Sequence, residues 1–492
     1  MSLVFLVLLA SYAYFFEGGG WNQNSRFDLV RALVERGTLR IDAYQQNTGD
    51  KSVFAGHYFS DKAPGVSFFA VPFIGVVRWL TNPPDGLLQS ATWQDEQLYL
   101  ATLATAAVPA AWAGVCVLWL SVRLGATESG AVVAALAYGL GTPAWAYAIL
   151  FQSHALSVSC LMSALLAADM LRDSGSARRR VGLGLVVGLA GGWSALAEYP
   201  SAVPAAFIVI LACVNARRAA DRWPWPAIAA IGAGGLAALA VLLVYNFHAF
   251  GSPFQISYAY EADRTLMRSG FFDIGRPRLD VAREILFGSF RGLVPLAPAL
   301  AVAPLGLWRL LRRPETRTLA IVVAATILFE LALNASYSKW EGGWSYGPRL
   351  MALAMAYLAI GLAPLWTASQ PVARVALLGL VLVGVGQSAV AVSTTAQPPA
   401  DYKSPMSQLL WPAFSDGQLG LNRQTVLDLR PPGDGGGIRH EQVSRAAWNA
   451  GQRVGLSGLA SLLPLLAIWI VGGGALAASS VRREARRAHV SS

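Results

Sequence analysis

Charge is what this chain has least of. Of its 492 residues only 13% are Asp, Glu, Lys or Arg against 55% hydrophobic, and the mean hydropathy is +0.46. Soluble domains carry about 25% charged residues, so a water-soluble globular fold is excluded. Cysteine is scarce too. Cys116, Cys160 and Cys213 each lie in an apolar run far from the others, which leaves no metal spacing and no disulfide framework. The first apolar run, "SLVFLVLLASYAYFF", lacks a basic flank and an A-x-A site before "EGGGW", so it reads as a span and not as a secretory leader. Also absent are a fixed-period repeat, a nucleotide-cradling glycine loop and a soluble domain of convincing size.

What is there is a succession of apolar runs near the roughly 20 residues that cross a bilayer, whose backbone must satisfy itself as helix. The predicted fold class is an all-α integral membrane protein of about 12 spans, near 2–17, 97–121, 128–150, 154–172, 181–197, 201–215, 226–247, 292–308, 318–336, 350–368, 374–394 and 454–477. The net charge of +10 comes from short tracts between the runs, "RDSGSARRR", "NARRAADRW", "RLLRRPETRT" and "VRREARRAH". Tracts so placed mark cytoplasmic loops and anionic headgroups, with no role for nucleic acid.

With the amino terminus inside, every one of these tracts falls in the cytoplasm. A full crossing by 65–81 would invert all later loops, so that stretch reads as a helix at or dipping into the outer interface, where Pro72, Arg78 and Trp79 suit it. The polar segments 18–96, 248–291, 337–349 and 395–453 then share the outer face. The last of these has too many Pro and Gly for regular structure, apart from a short helix near 441–449, and reads as a lid or spacer. Residues 454–492 supply the last span and a basic tail.

The outer loops carry the chemistry. In "NQNSRFDLVRALVERGTLRID", Ser25 caps a helix with Phe27, Val30, Leu33 and Val34 on one face and Arg26, Arg31 and Glu35 elsewhere, and Gly37 ends it. An amphipathic surface helix follows. Asp28, Asp42, Asp50 and Asp61 then crowd together with Lys51, His57 and Lys62. Such a cluster at the lipid boundary suits a phosphorylated headgroup held by its cations while a carboxylate acts as base. Against that reading, an outer loop must be polar anyway, and Asp28 can simply complete a capping box with Ser25. In "YSKWEGGWSYGPRL" the tryptophans, Trp340 among them, fit an aromatic belt beside Glu341, but Arg349 after a Gly-Pro turn is poorly explained by anchoring. Its guanidinium suits a pair of phosphate oxygens, and Tyr346 adds a hydroxyl. Three further groups, His154, Glu198 and Tyr199, stand at outer span ends and read as lining a substrate cavity with Asp61, His57, Trp340 and Glu341. Glu330, within a span, should face protein or water.

In this order of features, and in the segment "YFSDKAP" above all, the chain resembles the GT-C superfamily of polyprenyl-phosphate-dependent glycosyltransferases. It is most similar to bacterial relatives of the protein O-mannosyltransferases and of the lipid A aminoarabinose transferase. The likeness runs to about residue 395, so that 1–394 would be the catalytic domain, and is most specific at 22–72 and 337–350. In the aminoarabinose transferase type a "D-E-x-R-Y" element is followed by "Y-F-E-K-P-P", whose lysine meets the donor phosphate. Lys62 matches that lysine, but Gln23 and Asn24 in "QNSRF" stand where the acids would be. The resemblance implies sugar transfer from a polyprenyl-phosphate donor to a lipid, glycan or protein hydroxyl, by an inverting step at the outer face of a bacterial cytoplasmic membrane. Lys62 and Arg349, with Lys51 and Tyr346, would hold the phosphate; Asp42 or Asp28 would be the base, supported by Asp50. A divalent metal among these acids is compatible with their chemistry, but their spacing fixes no site. The competing classes are a polytopic transporter or lipid-linked glycan flippase, and a ligase taking glycan from a diphosphate carrier.

Overall fold

Runs of 20 apolar residues with Ala, Gly and Leu throughout can satisfy their backbone in lipid only within themselves, and the structure, a computed structural model, resolves them as helices. It describes residues 1–491 except 89, 221, 264–271 and 423–446. The helices used below are α1 (Ser2–Ala13), α2 (Trp21–Arg36), α3 (Gly65–Thr81), α4 (Ala91–Arg123), α5 (Glu128–Leu140), α6 (Ser153–Met170), α7 (Ala177–Ala197), α8 (Ala202–Arg218), α9 (Trp225–Phe250), α10 (Leu279–Phe287), α11 (Ala303–Arg312), α12 (Pro314–Ser336), α13 (Ala352–Ala368), α14 (Pro371–Thr394) and α15 (Leu463–Ser491). The chain is an all-α, multi-pass membrane protein.

Among the described residues nine helices are long and apolar enough to cross a membrane. The other three expected spans are shorter or broken. The run 2–17 is the 12-residue α1 followed by strand, and 128–150 is the 13-residue α5 halted before Pro143. The run 292–308 breaks into turns at Leu293–Leu296 and Pro298–Ala301 before α11 begins, because Pro298 and Pro304 each remove a helical donor. Within α4, one π turn at Leu103–Ala107 absorbs the donor missing at Pro109.

Small residues let the helices approach closely. A Cβ on Gly188 or Gly234 would strike the facing backbone between α7 and α9, as one on Gly306 would strike Gly361 between α11 and α13. From Met351 to Pro364 every residue at the head of α13 is buried, so this helix forms the centre of the bundle.

The connections sort to two ends. At one end the arginine tracts meet acids and helix ends: Arg123 pairs with Asp169 and Asp173, Arg172 bonds the Glu315 carbonyl and Arg218 reaches Thr318. At the other, the long loops bind one another. Residues Phe15–Phe16 pair as a strand with Trp448–Asn449, Gln23 bonds Gln397, Ser52 bridges Glu261, and the Tyr346 N–H donates to the Ala396 carbonyl. The described residues of 18–96, 251–292, 337–348 and 395–422 thus share one end, opposite the arginine tracts. The described parts of the 395–453 loop are more regular than its Pro and Gly content suggests: Met406–Ser415 is helical, and Asn449 caps the turn Ala450–Arg453. Of the short helix expected near 441–449, residues 441–446 lie outside the described residues, and Trp448–Asn449 is strand.

Candidate functional site

The first loop departs from a surface helix capped by Ser25. Helix α2 begins five residues earlier, after Gly20, and Ser25 lies inside it with its hydroxyl bonded to Ser60 and to the Asp61 carboxylate. Gly37 does end the helix, in the left-handed conformation at φ 62°. From Gln23 to Ala32 every residue is buried, since Phe27 and Val30 pack against α3 and α6 while Leu29 and Ala32 pack against the hairpin and α9. An element covered on two sides buries its polar residues with its apolar ones, and each must then find a partner.

The hairpin Lys51–Phe54 with His57–Ser60 turns at Ala55 and Gly56, both at positive φ, and delivers "SDKAPG" to the top of α2. Lys62 Nζ stands between two carboxylates, 2.9 Å from Asp50 and 2.6 Å from Asp61. Burial opposes its charge, but the two acids hold it well above the usual lysine value. The Glu261 carboxyl hydrogen-bonds Asp61, and burial together with that neighbouring carboxylate pushes it up to about 9. At neutral pH Glu261 is therefore protonated and donates, so the four groups carry a net charge near minus one.

A second set lies directly alongside. A Cβ on Gly65 would come within 2.6 Å of the Ala197 nitrogen, so the missing side chain is what lets the lysine segment lie on the end of α7. There the helix stops at Glu198, whose backbone is extended, ahead of the turn Tyr199–Ser201. The Ser153 hydroxyl donates to Glu198, whose Oε2 is 3.6 Å from His154 Nδ1. The buried Arg26 joins the two halves: Nη1 donates to the Ala63 carbonyl at 3.0 Å, Nη2 to Ser153 at 3.2 Å, and Nε to Asn22 at 3.1 Å. Burial raises the cost of the Glu198 charge, but His154, Arg26, the Ser153 hydroxyl and Arg349 together hold it below the usual glutamate value.

Arg349 completes the arrangement from nearly 300 residues away. Arg26 feels the charges of Glu198, Asp61 and Arg349, and the Tyr337 phenol feels both Lys62 and Arg349. The loop 337–348 wraps the Arg349 side chain so closely that a Cβ on Gly342 would meet its Nε at 3.0 Å, and Gly342 also needs its φ of 69°. That loop is pinned from behind by the fully buried Arg291, which donates to the Glu341 and Gly343 carbonyls and to Ser345. Burial brings Arg291 down to about 10. The Arg349 Nε is buried without a hydrogen-bond partner.

Of the residues singled out in the sequence, Lys62, Asp50, Asp61, His154, Glu198, Tyr199 and Arg349 come together. Tyr199 meets the edge of Tyr258 at 5.6 Å. Others do not join them. Asp42 accepts from the Tyr58 N–H at 2.7 Å and lies 2.8 Å from His57 Nδ1, so both sit by the hairpin turn, a strand's length from Lys62. Asp28 is buried and accepts from Asn47 at 3.1 Å. Lys51 donates to Gln45 and lies over Tyr58. Tyr346 is buried with its phenol towards Ser388, Trp340 packs on Phe290, and Glu341 offers its carbonyl to Arg291. Glu330 is buried in α12, close enough to Glu198 for their charges to interact.

Four groups escaped the sequence reading. The sequence pattern puts Arg26 off the apolar face, and only the covering of α2 on two sides buries it. Glu261 is one acid after "QISYAY", and its meaning comes from the bridge to Ser52. Arg291 follows a Ser-Phe pair with no pattern around it. Glu17, in "FFEGGG", is buried against Thr395 and pushed up to about 8 by that burial, and a lone acid after a span was its only signal. Among the described residues no group of three or more His, Cys, Asp or Glu side chains is arranged to hold a metal ion.

No family model matches the chain, and no curated protein does. Solved structures do. One is ArnT from Cupriavidus metallidurans bound to undecaprenyl phosphate, similar at 16% identity with a TM-score of 0.49 over 85% of this chain and 68% of that one. Another is the same protein in the apo state, at 14% identity and a TM-score of 0.49 over 85% and 67%.

Proposed function

We propose that the protein is a membrane glycosyltransferase that moves a sugar from a polyprenyl-phosphate carrier to an acceptor hydroxyl. The observation that carries this reading is the convergence of Lys62, Arg26 and Arg349 from three separate segments on one site that also holds a partly open carboxylate, Glu198. Three cations at a loop-covered membrane end suit the phosphate of a lipid-borne donor, whose chain can lie among the helices while the headgroup enters the site. As the bond from sugar to phosphate breaks, negative charge grows on the leaving phosphate. Groups already fixed by Asp50, Asp61, Ala63 and the 342 turn stabilise that charge without reorganising. A carboxylate accepts the acceptor's proton, and a single displacement inverts the anomeric centre.

In this reading the long loops face outward from a bacterial cytoplasmic membrane and the arginine tracts face inward, as the basic bias of cytoplasmic loops requires. The donor monophosphate, rather than a diphosphate, fits a site whose cations are partly offset by Asp50 and Asp61.

The test is direct. Purified protein is given undecaprenyl-phosphate-linked and undecaprenyl-diphosphate-linked sugars, and the release of carrier is followed together with sugar transfer. Losing the Arg349 charge removes a charge-assisted bond of about 1.5–3 kcal/mol, so Arg349→Ala should weaken undecaprenyl phosphate binding by about 10- to 150-fold. Unchanged binding in that variant, or transfer only from the diphosphate donor, would sink the proposal.

A further inference from the structure

We infer that Glu198, oriented by Ser153 and flanked by His154, is the group that takes the acceptor's proton; this rests on the glycosyl-transfer reading above. The carboxylates read from the sequence as bases are otherwise engaged. Asp42 is tied to the hairpin turn, and Asp28 is buried against Asn47. Asp50 and Asp61 face Lys62, and Glu261 is buried against Asp61. Glu198 differs from all of them. Among the described residues it forms no ion pair with a lysine or arginine, and a quarter of its side chain remains exposed.

Its geometry is fixed from two sides. Arg26 donates to the Ser153 oxygen, which leaves the Ser153 hydroxyl hydrogen to point at Glu198 Oε2. That bond engages one carboxylate oxygen and leaves Oε1 for an incoming hydroxyl. The backbone of Glu198 is held by the turn at Pro200 and by the packing of Gly65 on Leu196 and Ala197, which also sets its separation from Lys62. Base and leaving-group cations are therefore positioned by the same contact.

In the step itself, the acceptor oxygen bonds to the anomeric carbon while its proton passes to Glu198. The carbon–oxygen bond to the phosphate breaks, and its electron pair leaves with polyprenyl phosphate, whose charge is met by Lys62, Arg26 and Arg349. Glu198 then gives the proton to water.

The experiment uses the full chain in detergent with undecaprenyl-phosphate-linked hexose and pentose donors and an alkyl glycoside acceptor. Glu198→Gln keeps the shape and can still accept from Ser153. It should lower kcat by about 100- to 10,000-fold with little change in the donor KM, and undecaprenyl phosphate should still protect the variant against heating. Glu198→Asp should recover part of the lost kcat. The product should show inverted configuration. A Glu198→Gln protein that keeps kcat within tenfold, or one that loses donor binding in step with kcat, would overturn the assignment by making Glu198 a bystander or a mere counter-ion. Retained configuration would overturn it as well, since Glu198 would then be a nucleophile. If the wild type transfers no sugar from any of these donors, the functional reading itself falls, and the base assignment falls with it.

Discussion

Replacing Glu261 by Gln should stabilise the protein, and more so as the pH rises. The Glu261 carboxyl is buried beside the Asp61 carboxylate, and its pKa is raised from 4.5 to about 9. An acid raised in this way contributes stability that is fully present below its unfolded value and is lost as pH climbs towards the folded one. The window therefore runs from 4.5 to about 9. Each pH unit inside it costs about 1.4 kcal/mol, so between about pH 5 and pH 8 the wild type gives up at most about 4 kcal/mol. Gln is neutral throughout and keeps a donor for Asp61, so the variant escapes that loss. Other titrating groups act on both proteins, and the difference between them isolates Glu261. The assay is the thermal unfolding midpoint of the two proteins in the same detergent at several pH values. The advantage of the variant should be near zero at pH 5 and several degrees at pH 8. A difference that stays constant with pH, or one that favours the wild type increasingly at high pH, would refute the placement of Glu261 as a buried proton donor to Asp61.

Two further outcomes follow from the packing around the site. Gly65→Ala adds a methyl within 2.6 Å of the α7 backbone, which cannot yield as a flexible side chain would, and should cost about 1–3 kcal/mol; an unchanged unfolding midpoint would contradict the close approach. Arg291→Ala leaves the Glu341 and Gly343 carbonyls without their donor at about 1–3 kcal/mol each, and should raise hydrogen exchange across 337–348 while donor binding through Arg349 weakens; unaltered protection there would show the loop is held by other means.

The bundle was largely legible because the bilayer imposes a rule that acts locally. A run with no charge must be helical, and a run such as 375–394 shows this residue by residue. At 292–308 proline broke the expected span, since whether a chain bends or breaks at a proline depends on what its neighbours offer the freed backbone groups. The site was legible in part. Lys62 stood out because an acid, a lysine, a proline and a glycine stood together at the edge of an apolar run, and Arg349 because a Gly-Pro turn preceded it. Arg26 and Glu261 did not, since nothing near them in sequence signals burial. Asp42 drew notice by type and spacing alone, and it serves the hairpin.

By itself, then, the sequence determined that this chain is a helical membrane protein with its long polar loops at one end and its arginine-rich tracts at the other. Hydropathy and charge act on each segment independently of the rest. Only the tertiary structure decided which acids and bases meet. The segment that carries Lys62 lies against the end of α7, next to Glu198, because Gly65 has no side chain to hold α3 away, and Arg349 is held at the site because Arg291 pins its loop. Such contacts join residues separated by more than 130 and nearly 300 positions, and they depend on shape at the point of touch, which no local pattern encodes.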